Sequence, residues 1–243
     1  KMEKTVSEAI TYRRSVRVYK DLKIEDQKVR DCIKNAAIAP NSSNLQLWEF
    51  YHVTDSQKLS NLSAACFNQS AAKTAQQMVV FVARKDLWKK RAAANSTFLN
   101  KGFDKPNLDE RQLKRQKQVN AYYSKIVPGI YTDFLGIFGM LKFFVCALIG
   151  FFKPMYRQTR LSDMRIVAHK STALAAQNFM ISMAAIGYDT CPMEGFDSKQ
   201  VKQILGLPRG AEITMVVSCG VRAETGVYGP QFRVPFEEVY FKM

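Results

Sequence analysis

Residues 78–83 read Met-Val-Val-Phe-Val-Ala, six apolar side chains with no polar residue on either face. A strand points successive side chains to opposite sides, so a run without alternation predicts a strand covered on both faces. Residues 213–219 (Ile-Thr-Met-Val-Val-Ser-Cys) predict a second buried strand. Two such strands require helical layers above and below, and the chain supplies them. Residues 164–186 form the longest helical pattern, with Val167, Thr172, Ala175, Ala176, Phe179, Met180, Met183 and Ala184 on one face and Gly187 placed as a C-terminal cap. It is expected to be the central core helix. Residues 24–38 repeat the helical spacing through Val29, Ile33, Ala36 and Ala37 and are closed by Pro40. Residues 3–13 predict a short helix. Asp55 and Asp197 are placed to cap two more, the second ended by Gly206. Residues 48–53 are aromatic and β-branched, as strands prefer, and the loosely alternating tail 231–242 suits an edge strand or an arm around a partner subunit. Strands separated by helices argue for one domain, 1–243, of α+β or α/β class with a single mixed sheet.

The middle of the chain departs from this pattern. A polar, helical stretch over about 86–125 is followed by residues 134–152, where Lys142 is the only charge among Leu, Ile, Phe, Val, Ala and Gly. That length enters the range of a membrane span. Gly136, Gly139, Gly150 and the central lysine argue against one, because hydrocarbon tolerates a mid-span charge poorly. The expectation is a buried or dimer-facing helical lid. Lys153, Arg157 and Arg160 just beyond keep a weak membrane-surface contact as an alternative.

The formal net charge is +15, which draws anions such as phosphorylated small molecules, nucleic acid or an acidic membrane surface. The lysines and arginines are dispersed, and no zinc-finger, RNA-recognition or basic-zipper pattern appears, so nucleic acid is not the expected partner. Cys32, Cys66, Cys146, Cys191 and Cys219 form no C-x-x-C pair and mostly sit in apolar runs. That usage points to reduced thiols and a cytoplasmic location, and the N-terminus shows no apolar signal region.

Chemistry concentrates in three places. Arg13-Arg14-Ser15-Val16-Arg17 packs three guanidinium groups and a hydroxyl into five residues, a donor set suited to a phosphate. Ala39-Pro40-Asn41-Ser42-Ser43-Asn44-Leu45-Gln46-Leu47-Trp48 is a polar loop entering a strand. Cys191-Pro192-Met193-Glu194-Gly195-Phe196 reads as a tight turn, with Gly195 allowing backbone to approach a ligand. His52 and His169 stand in no metal-ligand spacing and read as structural. No nucleophile elbow, Walker loop or dinucleotide fingerprint occurs.

Together these runs resemble the nitroreductase family of flavin-dependent NAD(P)H oxidoreductases. The arginine cluster, the Asn/Ser loop and Pro192-Met193-Glu194-Gly195-Phe196 occur in the family's order, and Leu205-Gly206-Leu207-Pro208 and Phe232-Arg233-Val234-Pro235 also match. The likeness covers about 1–85 and 160–243. It implies a mixed, mainly antiparallel sheet flanked by helices, with a variable helical insertion over about 86–160. It also implies a homodimer with FMN at the subunit interface and NADH or NADPH as electron donor. The cofactor-binding residues it implies are Arg13, Arg14, Ser15 and Arg17, then Pro40, Asn41, Ser42 and Asn44 reaching the flavin of the other subunit. Asn68, Glu194, Gly195 and Arg233 complete the set. No catalytic side chain and no metal are implied, because the flavin carries the chemistry.

Some positions depart from the family's pattern. Asn41 stands where serine is usual, Leu47 where proline is usual, and Gln231 replaces a basic residue before Arg233. Ala71 occupies an expected basic position that Lys73 could serve, and Arg222 competes for the phosphate. The implied activity is a ping-pong transfer of two electrons from NAD(P)H to a nitroaromatic or quinone. A specialised flavin reaction such as reductive dehalogenation, and a basic membrane-surface protein, are the alternatives.

Overall fold

The computed structural model describes residues 3–104, 106–134 and 136–243. In chain order, α1 (Val6–Tyr12) and α2 (Asp26–Ala37) precede β1 (Trp48–Val53), and α3 (Ser56–Ala65) and α4 (Ser70–Lys73) precede β2 (Gln77–Ala83). Helices α5 (Trp88–Asn100), α6 (Glu110–Ala121), α7 (Val127–Tyr131), α8 (Ile137–Ile149) and α9 (Leu161–Ala185) follow. Strand β3 (Asp189–Met193), α10 (Ser198–Leu205) and β4 (Glu212–Gly220) complete the elements used below. The strands form one sheet in the order β1-β2-β4-β3, and each of these ladders is antiparallel. The expected mainly antiparallel sheet flanked by helices is what forms. Its parallel component, among the described residues, is one bridge from Ser15 to Thr190 on the outer edge of β3.

All seven residues of β2 are buried, as its unbroken apolar run predicts. The pleat divides them between two cores. Met78, Val80 and Val82 face Leu62 and Ala65 of α3, Val201 of α10 and Val16 of the segment after α1. Val79 and Phe81 face Phe179, Ala175, Ala176 and Met183 of α9, with Val29, Cys32 and Ala36 of α2 behind them. The Phe81 ring lies 5.2 Å from Phe50 and 5.5 Å from Phe179, both tilted. A third, smaller core gathers Leu45, Leu47, Val127, Tyr131, Met164 and Ala168 at the start of α9. Helix α9 is the expected core helix, and Gly187, at φ +84°, turns the chain out of it toward β3. Asp55 and Asp197 cap as expected, accepting from Lys58 N–H at 2.8 Å and from Lys199 N–H at 2.9 Å. His52 and His169 are structural, bonded to Gln77 at 2.7 Å and to Thr214 at 2.9 Å.

Three expectations are corrected. Residues 191–193 belong to β3 rather than to a turn, because they pair with β4 through Cys191↔Ser218 and Met193↔Val216; only the chain after Met193 turns. The tail beyond Gln231 joins no strand. Its residues are exposed, with one helical turn at Phe236–Glu238, so of the two expectations for it, edge strand or arm around a partner subunit, the edge strand is withdrawn within this chain. The 134–152 run, in which Leu135 lies outside the described residues, is not a span, as expected, and of the expected buried or dimer-facing lid only burial within the chain is withdrawn. Helix α8 has 13 residues, about 20 Å of rise against about 30 Å of hydrocarbon. Among the described residues no helix is long and apolar enough to cross a membrane. Only Gly139 and Cys146 of α8 are buried. Lys142 donates to the Thr132 carbonyl, and Phe138, Leu141, Phe144 and Leu148 are exposed.

Phe179 is fully buried and Phe151 is 82% exposed. Phe179→Ala is expected to lower unfolding free energy by about 3–5 kcal/mol in urea titration, and Phe151→Ala to change it by less than about 0.5 kcal/mol.

Candidate functional site

The segment after α1 is held from both ends. A capping box starts the helix, with Thr5 N–H donating to Glu8 Oε2 at 2.7 Å and Glu8 N–H to Thr5 Oγ1 at 3.4 Å. At its other end the Arg222 guanidinium donates to the Tyr12 carbonyl at 3.2 Å and lies 4.1 Å above the Tyr12 ring. Val16 is then buried, with its N–H donating to the Thr190 carbonyl at 3.1 Å, while Arg17 N–H donates to the Gly226 carbonyl at 2.7 Å. Tyr19 is buried against Gly220, where a Cβ would stand 2.7 Å from its ring, and its hydroxyl donates to the Ser218 carbonyl at 3.0 Å. With Val16 and Tyr19 anchored inward, the side chains of Arg13, Arg14, Ser15 and Arg17 are left facing outward at the edge of β3.

These four residues line one cleft of about 260 Å³ together with Val227, Tyr228, Gln231, Phe232 and Arg233. The structure therefore joins Arg233 to the N-terminal cluster across more than two hundred residues of sequence. Gly229, at φ +68°, permits the bend, and its carbonyl accepts from Arg14 Nη2 at 3.0 Å. Among the described residues, no carboxylate lines the cleft. Burial, and then the charges of Arg233 and Arg14, push the Arg13 guanidinium below its ordinary range. Such crowding of like charge favours an anion, and four guanidinium groups with a serine hydroxyl match phosphoryl oxygens. Cys191 lies near enough to feel Arg17 and Arg13, but burial dominates and raises its thiol, so it is not a thiolate at neutral pH.

The other expected residues lie elsewhere. Glu194 and Gly195 form the exposed turn after β3, where the Gly195 carbonyl accepts from Gln69 Nε2 at 2.7 Å. Asn68 sits in a left-handed turn with Phe67 (φ 52° and 56°) and lines a different hollow with Ser63 and Lys73. The 40–44 loop lies at the far edge of the sheet. Ser43 Oγ meets the Tyr122 hydroxyl at 2.7 Å, and Asn44 and Asn95 exchange bonds of 2.9 and 2.8 Å. Asn41 is used within the loop, its amide donating to the Ala39 carbonyl at 3.3 Å and accepting from Gln46 N–H at 2.7 Å. From β1 to the Ser15 bridge is four strand spacings, about 19 Å, so within one chain this loop does not join the arginine cleft. Pro40, Ser42 and Asn44 are all exposed.

Arg222, a competing phosphate ligand by sequence, is engaged instead with Asp189, which is 3% exposed; the Arg222 N–H and Nε each donate to that carboxylate at 2.8 Å. This pair, with Gln69, Tyr228 and Phe232, was not legible in the sequence. Proximity to Arg233 was the only available signal, and it covered the two aromatics alone.

Comparison with known proteins gives the family and the fold. The model of the nitroreductase family matches residues 10–221. Protein DrgA of Synechocystis sp. is 26% identical over 220 residues, covering 89% of this chain and 84% of the relative. A protein named NADH dehydrogenase from Thermus thermophilus is 26% identical over 227 residues, covering 93% and 90%. A structure from Exiguobacterium sibiricum, assigned as a nitroreductase and solved with FMN, superposes with a TM-score of 0.69 at 22% identity, covering 100% of this chain and 99% of the other. That likeness shows the fold.

Removing Arg222 leaves the Asp189 carboxylate buried without its cation, for which a loss of about 3–5 kcal/mol is expected. Urea unfolding of Arg222→Gln should show it, and the double variant D189N/R222Q should recover a large part.

Proposed function

The chain belongs to the nitroreductase family, and on that premise we propose that it is an FMN-dependent oxidoreductase. It would move two electrons from NADH or NADPH to an electron-poor acceptor of nitroaromatic or quinone type by a ping-pong cycle. The observation that carries the reading is the cleft of Arg13, Arg14, Arg17 and Arg233 with no carboxylate among its lining residues. Those residues fit a phosphate-bearing cofactor. FMN, when bound, supplies the redox chemistry, accepting a hydride from the nicotinamide and passing two electrons to the acceptor.

The protein's part is binding and electrostatics. Arg13, Arg14, Ser15 and Arg233 would hold the phosphate and ribityl chain, as the crowding of charge around Arg13 supports. Arg17, exposed at the mouth, would present a cation toward the pyrimidine edge and favour the gain of negative charge there. Glu194 and Gly195 lie on the turn that Gln69 pins, which supports a backbone N–H offered to the isoalloxazine. Asn68, one residue before Gln69, would contact the ring from the same side.

The separation of the 40–44 loop from the cleft supports a homodimer in which each site takes residues from two chains. Pro40, Ser42 and Asn44 would reach the flavin held by the second copy, with Asn41 keeping the loop in shape. The exposed tail, carrying Phe236, Val239 and Phe241, suits an arm around that copy. We read residues 1–243 as one FMN-binding domain with a helical insertion over about 86–160. Five free, buried cysteines support a reducing cytoplasm.

The purified protein should be yellow, and NADH or NADPH should bleach the flavin band under anaerobic conditions. Colourless protein that takes up no added FMN would overturn the reading. Arg13→Ala or Arg233→Ala should weaken FMN binding about 10- to 100-fold, as loss of a charged hydrogen bond does. For the two-chain site, Arg17→Glu and a Pro40→Glu/Ser42→Glu double variant should each be inactive alone. Mixed and refolded together, they should regain about a quarter of wild-type activity, because half the dimers are hybrids with one intact site. No recovery would place the loop outside the site.

A further inference from the structure

Helix α8 is turned inside out relative to an ordinary surface helix. Its solvent-facing arc carries Phe138, Leu141, Phe144 and Leu148, and the chain continues into Phe151 and Phe152, which are 82% and 91% exposed. A surface helix of a water-soluble protein carries polar residues on that arc. Here the inward side carries Gly139, Cys146 and the Lys142 ammonium, which is tied back to the Thr132 carbonyl. A contiguous apolar surface of this extent marks an interaction site.

Charge selects the partner. Residues 134–158 contain Lys142, Lys153 and Arg157 and no Asp or Glu. Arg157 donates to the Gly150 carbonyl at 2.9 Å, which fixes a guanidinium beside the exposed phenylalanines. Arg160 stands 5.0 Å over the Phe143 ring at the base of the helix. Apolar side chains framed by cations fit a surface of hydrocarbon beneath anionic headgroups. A two-fold contact would set the Lys153 end of one helix against the start of the other, so a second copy is the rival occupant, and the oligomeric state of F151S/F152S decides between them.

We propose that α8 and residues 151–157 dock the protein on an anionic phospholipid bilayer, with the apolar arc inserted at the headgroup–acyl boundary and Lys153 and Arg157 at the phosphates. At about 20 Å the helix is too short to span and long enough to lie in that plane. The assignment rests on α8 and residues 151–157 and uses none of the arginine cleft at the outer edge of β3. Docking would present the protein to lipid-dissolved compounds.

The test is co-sedimentation of the full chain, reconstituted with FMN if it binds, with vesicles of phosphatidylcholine alone or with added phosphatidylglycerol. Binding is expected to the phosphatidylglycerol vesicles, falling with salt and at least tenfold weaker for F151S/F152S. Lys153→Glu should weaken binding and lower its salt sensitivity, because one cation–headgroup attraction is lost. Leu148→Glu, one turn earlier on the same arc, is a second variant should the first fold poorly, and unchanged circular dichroism certifies either. No binding to phosphatidylglycerol vesicles at low salt overturns the proposal. So does binding that both folded variants retain in full, which would be general basic attraction. A sedimentation-velocity shift from a larger to a smaller oligomer in F151S/F152S would overturn it in favour of self-association.

Discussion

A strand with no polar face can exist only between two covers, and β2 is such a strand. Its seven buried residues require α3, α4 and α10 on one side and α2 and α9 on the other. The order β1-β2-β4-β3 then places β3 at an edge, and that edge is where the arginine segment attaches through Ser15 and Thr190. The arginine cleft is thus a consequence of the central strand's burial, transmitted outward one strand at a time. Val16 shows the coupling most directly. It is fully buried in the core beneath β2's face, and its burial leaves Arg13 and Arg17 outside.

Two kinds of arginine stand close together here with opposite tasks. Arg222 is spent on structure: it neutralises Asp189, caps the end of α1 and packs on Tyr12, holding the start of the cluster in place. Arg13, Arg14, Arg17 and Arg233 carry no carboxylate partner in the described residues and crowd one cleft. The difference is burial beside an acid against exposure beside other cations. An unneutralised cluster raises the free energy of the cleft, and an anion would relieve it, which is the physical basis of the proposed phosphate site.

Much of the fold was legible because it rests on local signals. The unbroken run of β2, the small-residue face of α9, the caps at Asp55 and Asp197 and the glycine after α9 each act within a few residues. The failures share a different cause. Residues 191–193 have turn-like composition, with Pro192 among them, yet pair with β4 because an edge strand tolerates a missing donor. The tail alternates loosely as a strand does, yet within this chain it pairs with neither sheet edge and is exposed. Apolar content suggested a buried or dimer-facing α8, whereas within this chain Phe138, Phe144, Phe151 and Phe152 are exposed, because burial depends on what else packs there.

By itself the sequence determined which segments must be buried, where helices begin and end, and which residue types could hold a phosphate; these depend on periodicity, capping and side-chain chemistry, all short-range in the chain. Tertiary structure alone decided that Arg233 joins Arg13, that Arg222 is withdrawn to Asp189, and that the 40–44 loop stands four strand spacings from the cleft its chemistry suits. Those outcomes depend on strand order and on which groups meet after long loops close. No local pattern encodes that meeting, because the energy that decides it comes from burying distant segments against one another.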